Sequence, residues 1–238
     1  MQDYFTLESS TIHVWQVDLE LMDSDYQQLK DTLNPEEQQR LQRYTHQQAQ
    51  QQFLATRGRL KQLLAGYLEI PPSSIKFELG EHGKPRLAGT MIDCGLVFNV
   101  SHSGTVALIA ISNNRALGID VEKINSRHNL QGMVQRCFSH QEQNNWNQLA
   151  EPLKTNQFYA YWCAKEAFLK ATGRGLALGM QHCVVDLDTP SYISLPESYQ
   201  TSDWQLQHID VGNDYRAFVV GSGDTISVIN KQFKEGKL

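Results

Sequence analysis

A chain of 238 residues, 40% of them hydrophobic, is long enough to bury one large core or two small ones. Its formal net charge of −5 argues against broad nucleic-acid binding, which needs a basic face, so any polyanion has to be gripped locally. The amino-terminal stretch has no basic segment followed by an apolar one, and the longest fully apolar run, Val106 to Ile111, is strand-sized; no membrane span is expected and the protein reads as cytoplasmic.

Along the chain, Ile12 to Val17 alternates like a strand. Asn34-Pro-Glu-Glu37 then opens a long helical segment, with an Asn cap, Pro at the first helical position and Glu three residues after the cap. Glutamine is dense from Gln38 to Gln52 and reads as a solvated face, because Leu41, Tyr44, Phe53, Leu60, Leu63 and Leu64 supply an apolar stripe. The same segment carries Arg40, Arg43, Arg57, Arg59 and Lys61 as a basic cluster. Gly83-Lys-Pro-Arg86 is expected to be a loop, either a plain solvated turn or one whose Lys84 and Arg86 meet a phosphate.

Strands are expected at Val97 to Ser101 and Val106 to Ile111. Between them, Phe98-Asn-Val-Ser-His-Ser-Gly104 gathers two hydroxyls, an imidazole and a glycine where the strand turns, which suits a phosphate but equally suits a turn with a hydrogen-bonded His. No nucleophile elbow with a partner acid marks a serine hydrolase. Leu117 to Glu122 is a strand in which Asp120 and Glu122 share one face and Ile119 and Val121 the other. Ser139-His-Gln-Glu142 is a second capping box, and Phe158 to Ala171 is a helix stopped at Gly173, with Trp162, Glu166 and Lys170 spaced one turn apart on one face. Neighbouring carboxylates repel unless something positive neutralises them, so Asp120, Glu122 and Glu166 together look like a magnesium site. Trp204 to Ile209 and Tyr215 to Val220 close the chain as strands. Cys94, Cys137, Cys163 and Cys183 have no CxxC or zinc-like spacing and read as free thiols in a reducing compartment.

The second half repeats the order of the first. Laying Trp15 on Asp120 puts Val17 on Glu122, Leu33 on Phe138, Glu37 on Glu142, Leu41 on Trp146, Phe53 on Phe158, Ala55 on Ala160 and Lys61 on Glu166, with no gap. The expected fold class is therefore α+β, a pseudo-twofold pair of similar α+β halves, residues 1–115 and 116–238, with the active site at their junction. Only the second half carries the acids.

Taken together, Phe98-Asn-Val-Ser-His-Ser-Gly104, Leu117-Gly-Ile-Asp-Val-Glu-Lys123 and Trp162-Cys-Ala-Lys-Glu-Ala-Phe-Leu-Lys170 resemble the signature blocks of Sfp-type 4'-phosphopantetheinyl transferases, in the family's order and approximate spacing, and Gly83-Lys-Pro85 also fits. The resemblance implies two fused α+β units that take coenzyme A and Mg²⁺, move the phosphopantetheine arm to a serine of an acyl or peptidyl carrier protein, and release 3',5'-ADP. It implies Asp120, Glu122 and Glu166 as metal ligands, Lys170 and Lys165 at the leaving phosphate, and Glu166 as general base with Glu122 the other candidate. His102 with Ser101 would meet the 3'-phosphate of coenzyme A, helped by Arg40, Arg57, Lys84 and Arg86. One departure stands out: Glu37 occupies a position where many relatives carry one of two paired lysines.

Two alternatives remain: a magnesium-dependent coenzyme A pyrophosphohydrolase using water as nucleophile, and a non-catalytic carrier-binding module. For the carrier, Lys123, Arg127, His128 and Arg136, interleaved with Leu130, Met133 and Val134, form a candidate docking patch. A monomer is expected, since two fused halves supply each other's interface.

Overall fold

The order strand, helices, short hairpin, strand pair occurs twice in the computed structural model, which describes residues 5–80, 82–125 and 129–233. In the first half β1 (Thr11–Asp18) is followed by α1 (Asp23–Thr32), α2 (Pro35–Gln42), α3 (Gln47–Leu68), the hairpin β2 (Phe77–Leu79) and β3 (Pro85–Leu87), and the antiparallel pair β4 (Leu96–Ser103) and β5 (Val106–Asn113). In the second, β6 (Leu117–Lys123) leads to α4 (Leu130–Cys137), α5 (His140–Asn147), α6 (Glu151–Thr172), the hairpin β7 (Val184–Asp186) and β8 (Ser191–Ser194), and the pair β9 (Trp204–His208) and β10 (Tyr215–Ser222). A last strand, β11 (Ser227–Gln232), completes the set.

Both capping boxes form. Asn34 accepts from the Glu37 amide at 2.9 Å while Glu37 accepts from the Asn34 amide at 3.0 Å. Ser139 and Glu142 exchange the same bonds at 3.3 and 2.8 Å. The long helical segment expected after the first cap is two helices. Tyr44, Thr45 and His46, all weak helix formers, separate α2 from α3, and Pro152 in the first turn of α6 cannot continue a ladder from α5.

Each capping glutamate also takes a lysine from the following long helix. Lys61 Nζ lies 2.9 Å from Glu37, and Lys165 Nζ lies 2.8 Å from Glu142, both lysines being fully buried. The true structural mate of Lys61 is thus Lys165, and the gapless alignment that put Lys61 on Glu166 is corrected. The break before the long helix spans residues 43–46 in the first half and 148–150 in the second, and that missing residue shifts the register.

Four layers result. Trp15, Val17, Ile109 and Ile111 of the first sheet pack against Leu63 and Leu64 of α3. Leu206, Phe218 and Val220 of the second sheet pack with Phe158, Ala164 and Phe168 of α6. Between the sheets, Ile12, Val14, Leu108 and Ala110 meet Leu117, Ile119, Val121 and Val219. β1 and β5 therefore bury both faces, the reason Val106 to Ile111 is a continuous apolar run. The strand orders are β11-β1-β5-β4 and β6-β10-β9. β11 runs parallel to β1, from Thr11 opposite Ser227 to Gln16 opposite Gln232, and so crosses the expected division at 115/116 to cover an edge of the first sheet.

The edge of β6 that faces β4 is closed by side chains. The amides of Ile119, Val121 and Lys123 donate to Asn99 Oδ1 (2.9 Å), Ser101 Oγ (3.3 Å) and Ser103 Oγ (3.0 Å). Alternate residues of one strand thus satisfy alternate amides of the other, which joins the two sheets. Among the described residues no helix is long and apolar enough to cross a membrane, and the four cysteines are free.

Candidate active site

Close approach of α6 to β6 builds the centre of the site. A Cβ on Gly118 would lie 2.0 Å from the Ala167 carbonyl oxygen and 2.5 Å from the Ala171 nitrogen, so only glycine lets the helix lie on the strand. Lys170 then reaches across, its Nζ 2.7 Å from Asp120 Oδ1 and 2.8 Å from Ser101 Oγ. Ser101 Oγ donates to the same Asp120 oxygen at 2.8 Å. Asp120 is 4% exposed, and its other oxygen, Oδ2, is buried without a protein partner. Beside it, Ser103 donates to Glu122 Oε2 at 2.9 Å. Glu166 lies one turn before Lys170; burial first, then the charges of Asp120 and Glu122 against that of Lys170, push its carboxyl above the usual range.

Glu166 and Lys170 line a cleft of about 260 Å³ with Lys84, Pro85, Asn99 and Val100. The last three also wall a neighbouring cavity of about 360 Å³, whose other side carries Arg40, Tyr44, Phe53, Thr56, Arg57 and His102. This second cavity is lined by cationic and hydrogen-bond-donating groups. Arg57 Nη1 and Thr56 Oγ1 are buried there with no partner, and burial lowers the guanidinium's pKa in spite of Glu37. Arg57 stacks over Phe77 at 4.4 Å and Arg40 over Phe53 at 5.1 Å, which holds both forks rigid. Burial, and secondarily Lys170, lower the pKa of His102.

The structure thus gathers Asp120, Glu122, Glu166 and Lys170 in one place and Arg40, Arg57 and His102 in another. Three residues assigned to phosphate sit otherwise. Lys165 is fully buried, its ammonium donating to Glu142, to the Met180 carbonyl at 3.1 Å and to the Cys183 carbonyl, so it is removed from the site. Ser101 Oγ accepts from Val121 N and Lys170 Nζ and donates to Asp120; a hydroxyl has two lone pairs and one proton, so nothing remains for a phosphate. Arg86 pairs with Glu78 at 2.7 Å on the exposed β2–β3 hairpin, away from the arginine cavity. Lys84 does reach the cleft wall, but its ammonium donates to the carbonyls of Leu117 (2.9 Å) and Ala171 (3.2 Å), and burial brings its pKa down to about 8. The Glu37 departure also finds its cause: Lys61, and Arg57 at 3.6 Å, already neutralise that carboxylate. Sequence reasoning counted the Ser103 hydroxyl only as one suited to a phosphate and missed Asn99 and Thr56; the polar alternation of residues 99, 101 and 103 in an apolar strand was the available signal for Asn99 and for the true role of Ser103.

Of the docking patch, Arg127 and His128 lie outside the described residues. Val134 is buried core rather than surface, whereas Lys123 and Arg136 are exposed. Among the described residues no three His, Cys, Asp or Glu side chains are grouped as a metal would need them. The donor chemistry nevertheless fits a hard cation, since Asp120 Oδ2 is buried without a partner and Asp120 and Glu122 both act electrostatically on Glu166.

Two family models cover most of the chain: the 4'-phosphopantetheinyl transferase N-terminal family over residues 20–114, and the 4'-phosphopantetheinyl transferase superfamily over residues 116–220. The 4'-phosphopantetheinyl transferase HetI of Nostoc sp. is 37% identical over 172 residues, covering 72% of this chain and 73% of the relative. The chain belongs to the 4'-phosphopantetheinyl transferase family. The L-aminoadipate-semialdehyde dehydrogenase-phosphopantetheinyl transferase of Xenopus laevis is 30% identical over 214 residues (81% of this chain, 69% of the relative), and Sfp of Bacillus subtilis 26% over 198 residues (82% and 86%). This transferase is an enzyme that moves phosphopantetheine from coenzyme A to carrier proteins. Of the three readings the sequence left open, the transferase is the one the family supports.

Proposed function

We propose that the transfer is magnesium-dependent, that it takes place at the β4–β6 junction, and that its second product is 3',5'-ADP. The observation that carries this reading is the buried, unpartnered Asp120 Oδ2 beside the Asp120–Lys170 contact of 2.7 Å, with Asp120 and Glu122 close enough to add to the rise that burial gives the Glu166 pKa. The carrier serine attacks the β-phosphorus of the coenzyme A pyrophosphate, forming a P–O bond as the bond to the bridging oxygen breaks. Asp120, Glu122 and Glu166 would hold a magnesium ion, which when bound offsets the charge growing on the leaving phosphate. Lys170 uses two N–H groups on Asp120 and Ser101 and keeps a third for that phosphate. Glu166 takes the serine proton, with Glu122 the second candidate. Arg40, Arg57 and His102 hold the 3'-phosphate in the cavity that shares a wall with the acids.

Lys123 and Arg136 meet the carrier, whose surface around the modified serine is expected to be acidic. The enzyme works as a cytoplasmic monomer, its two sheets filling each other's faces. Incubation with coenzyme A, Mg²⁺ and an apo carrier protein should raise the intact carrier mass by roughly 340 Da, with 3',5'-ADP appearing in equal amount and both lost with EDTA. Coenzyme A breakdown without carrier mass gain would mean hydrolysis instead.

A further inference from the structure

The side chains that close the β6 edge do more than join two sheets. An exposed strand edge needs only acceptors for its amides, and Asn99 supplies one to Ile119 by its carbonyl oxygen. Ser101 and Ser103 supply acceptors too, but each also has a proton to donate. Ser103 accepts from the Lys123 amide at 3.0 Å and donates to Glu122 Oε2 at 2.9 Å. Ser101 accepts from the Val121 amide at 3.3 Å and donates to Asp120 Oδ1 at 2.8 Å. The unit is the same both times: a serine of β4 bridges the carboxylate of one β6 residue and the amide of the next.

We propose that Ser101 and Ser103 are positioning residues for the transfer, Ser103 orienting the Glu122 carboxylate and Ser101 orienting Asp120 together with Lys170. The inference rests on the assignment of these acids to the reaction. Its physical basis is that each hydroxyl is pinned by a backbone amide, so its proton has a fixed direction. Each proton therefore gives its carboxylate a directed contact that favours one rotamer beside like-charged neighbours. The scaffold contact and the carboxylate rotamer are set by one oxygen atom, so the two halves cannot separate at the junction without disordering the acids. Ser103 is the sharper probe, because Ser101 also touches Lys170.

The test compares Ser103→Ala with Ser103→Thr, which keeps the hydroxyl and suits a strand. Expected for Ser103→Ala is a fall in kcat of about 10- to 100-fold at saturating coenzyme A and carrier, with the coenzyme A KM within about twofold. Calorimetric titration with Mg²⁺ alone should show binding weakened by about tenfold or more in the same variant. Ser103→Thr should recover both quantities. A Ser103→Ala enzyme with wild-type kcat and Mg²⁺ affinity overturns the proposal, as does an equal loss in the Ala and Thr variants that merely follows their Tm. If the wild-type chain itself moves no phosphopantetheine, the underlying assignment of the acids fails, and that control separates the two failures.

Discussion

Arg57 pairs with Glu37 through Nε at 3.6 Å but is mostly buried and lowered in pKa by that burial, with Nη1 unpartnered and Thr56 Oγ1 in the same condition beside it. Arg57→Met should therefore raise the coenzyme A KM by about 10- to 100-fold, the worth of a charge-assisted hydrogen bond, and leave the carrier KM near wild type; steady-state kinetics against each substrate checks it. His102 in the same cavity is held below its usual pKa without a ligand, and a bound phosphate would raise it. Binding then takes up a proton, so coenzyme A affinity should strengthen as pH falls from 8 toward 6.5, and calorimetry on His102→Asn should lose that slope relative to wild type. At this scale the acids and Lys170 were legible because their spacings, two in a strand and four in a helix, dictate a shared face. Lys165 was not: adjacent helical residues point about 100° apart, and only the partner Glu142 reveals which way it faces. Ser101 misled because a hydroxyl in a phosphate-like motif looks available until its three bonds are counted.

Among the elements, α6 carries most of the argument. Its interior anchor is the Lys165–Glu142 pair, and Glu142 also accepts from Ser139 N at 2.8 Å and Val185 N at 3.0 Å. Removing one partner of such a pair strands a buried charge, so Lys165→Met should cost about 3–5 kcal/mol of stability in urea unfolding. The coenzyme A KM of the folded fraction should nevertheless stay within about twofold of wild type, which a phosphate ligand would not allow. On α4, Arg136 is exposed and, among the described residues, donates only to the Gly132 carbonyl at 3.3 Å. Arg136→Glu should raise the carrier KM more than the coenzyme A KM; equal effects on both would remove α4 from the docking surface. The helices and strands around the motifs were readable from caps and alternation, whereas β11 was not, since Ser227 to Gln232 is largely exposed and earns its strand only from the open edge of β1. The break between α2 and α3 escaped because the apolar stripe runs on either side of it.

Over the whole molecule, the duplication was legible from two capping boxes, while its register was not, because one residue is lost in a linker rather than in an element. The lysine–glutamate pair in each half is the marker that restores it. On the face of β1 that meets α3, away from the junction of the halves, a histidine is buried. His13, 1% exposed, shares a hydrogen bond between its Nδ1 and the Tyr67 hydroxyl, which accepts from Trp15 Nε1 at 2.9 Å, and burial followed by Lys231 lowers the imidazole to about 4. The unfolded chain titrates near 6.5, so the neutral imidazole's contribution is complete above that pH and is lost as pH falls from about 6.5 to about 4. The slope of Tm against pH in that window should flatten in His13→Asn, which keeps an acceptor and cannot titrate.

Asp120, at the seam of the two halves, is the residue on which the proposed transfer most depends. Single-turnover transfer of phosphopantetheine to an apo carrier by Asp120→Asn, followed by intact mass across a wide range of Mg²⁺ concentrations, tests it most directly. The expected rate is at least about a thousandfold below wild type and is restored by no Mg²⁺ concentration, with the Tm within a few degrees of wild type. A folded Asp120→Asn enzyme transferring within about tenfold of the wild-type rate would contradict it.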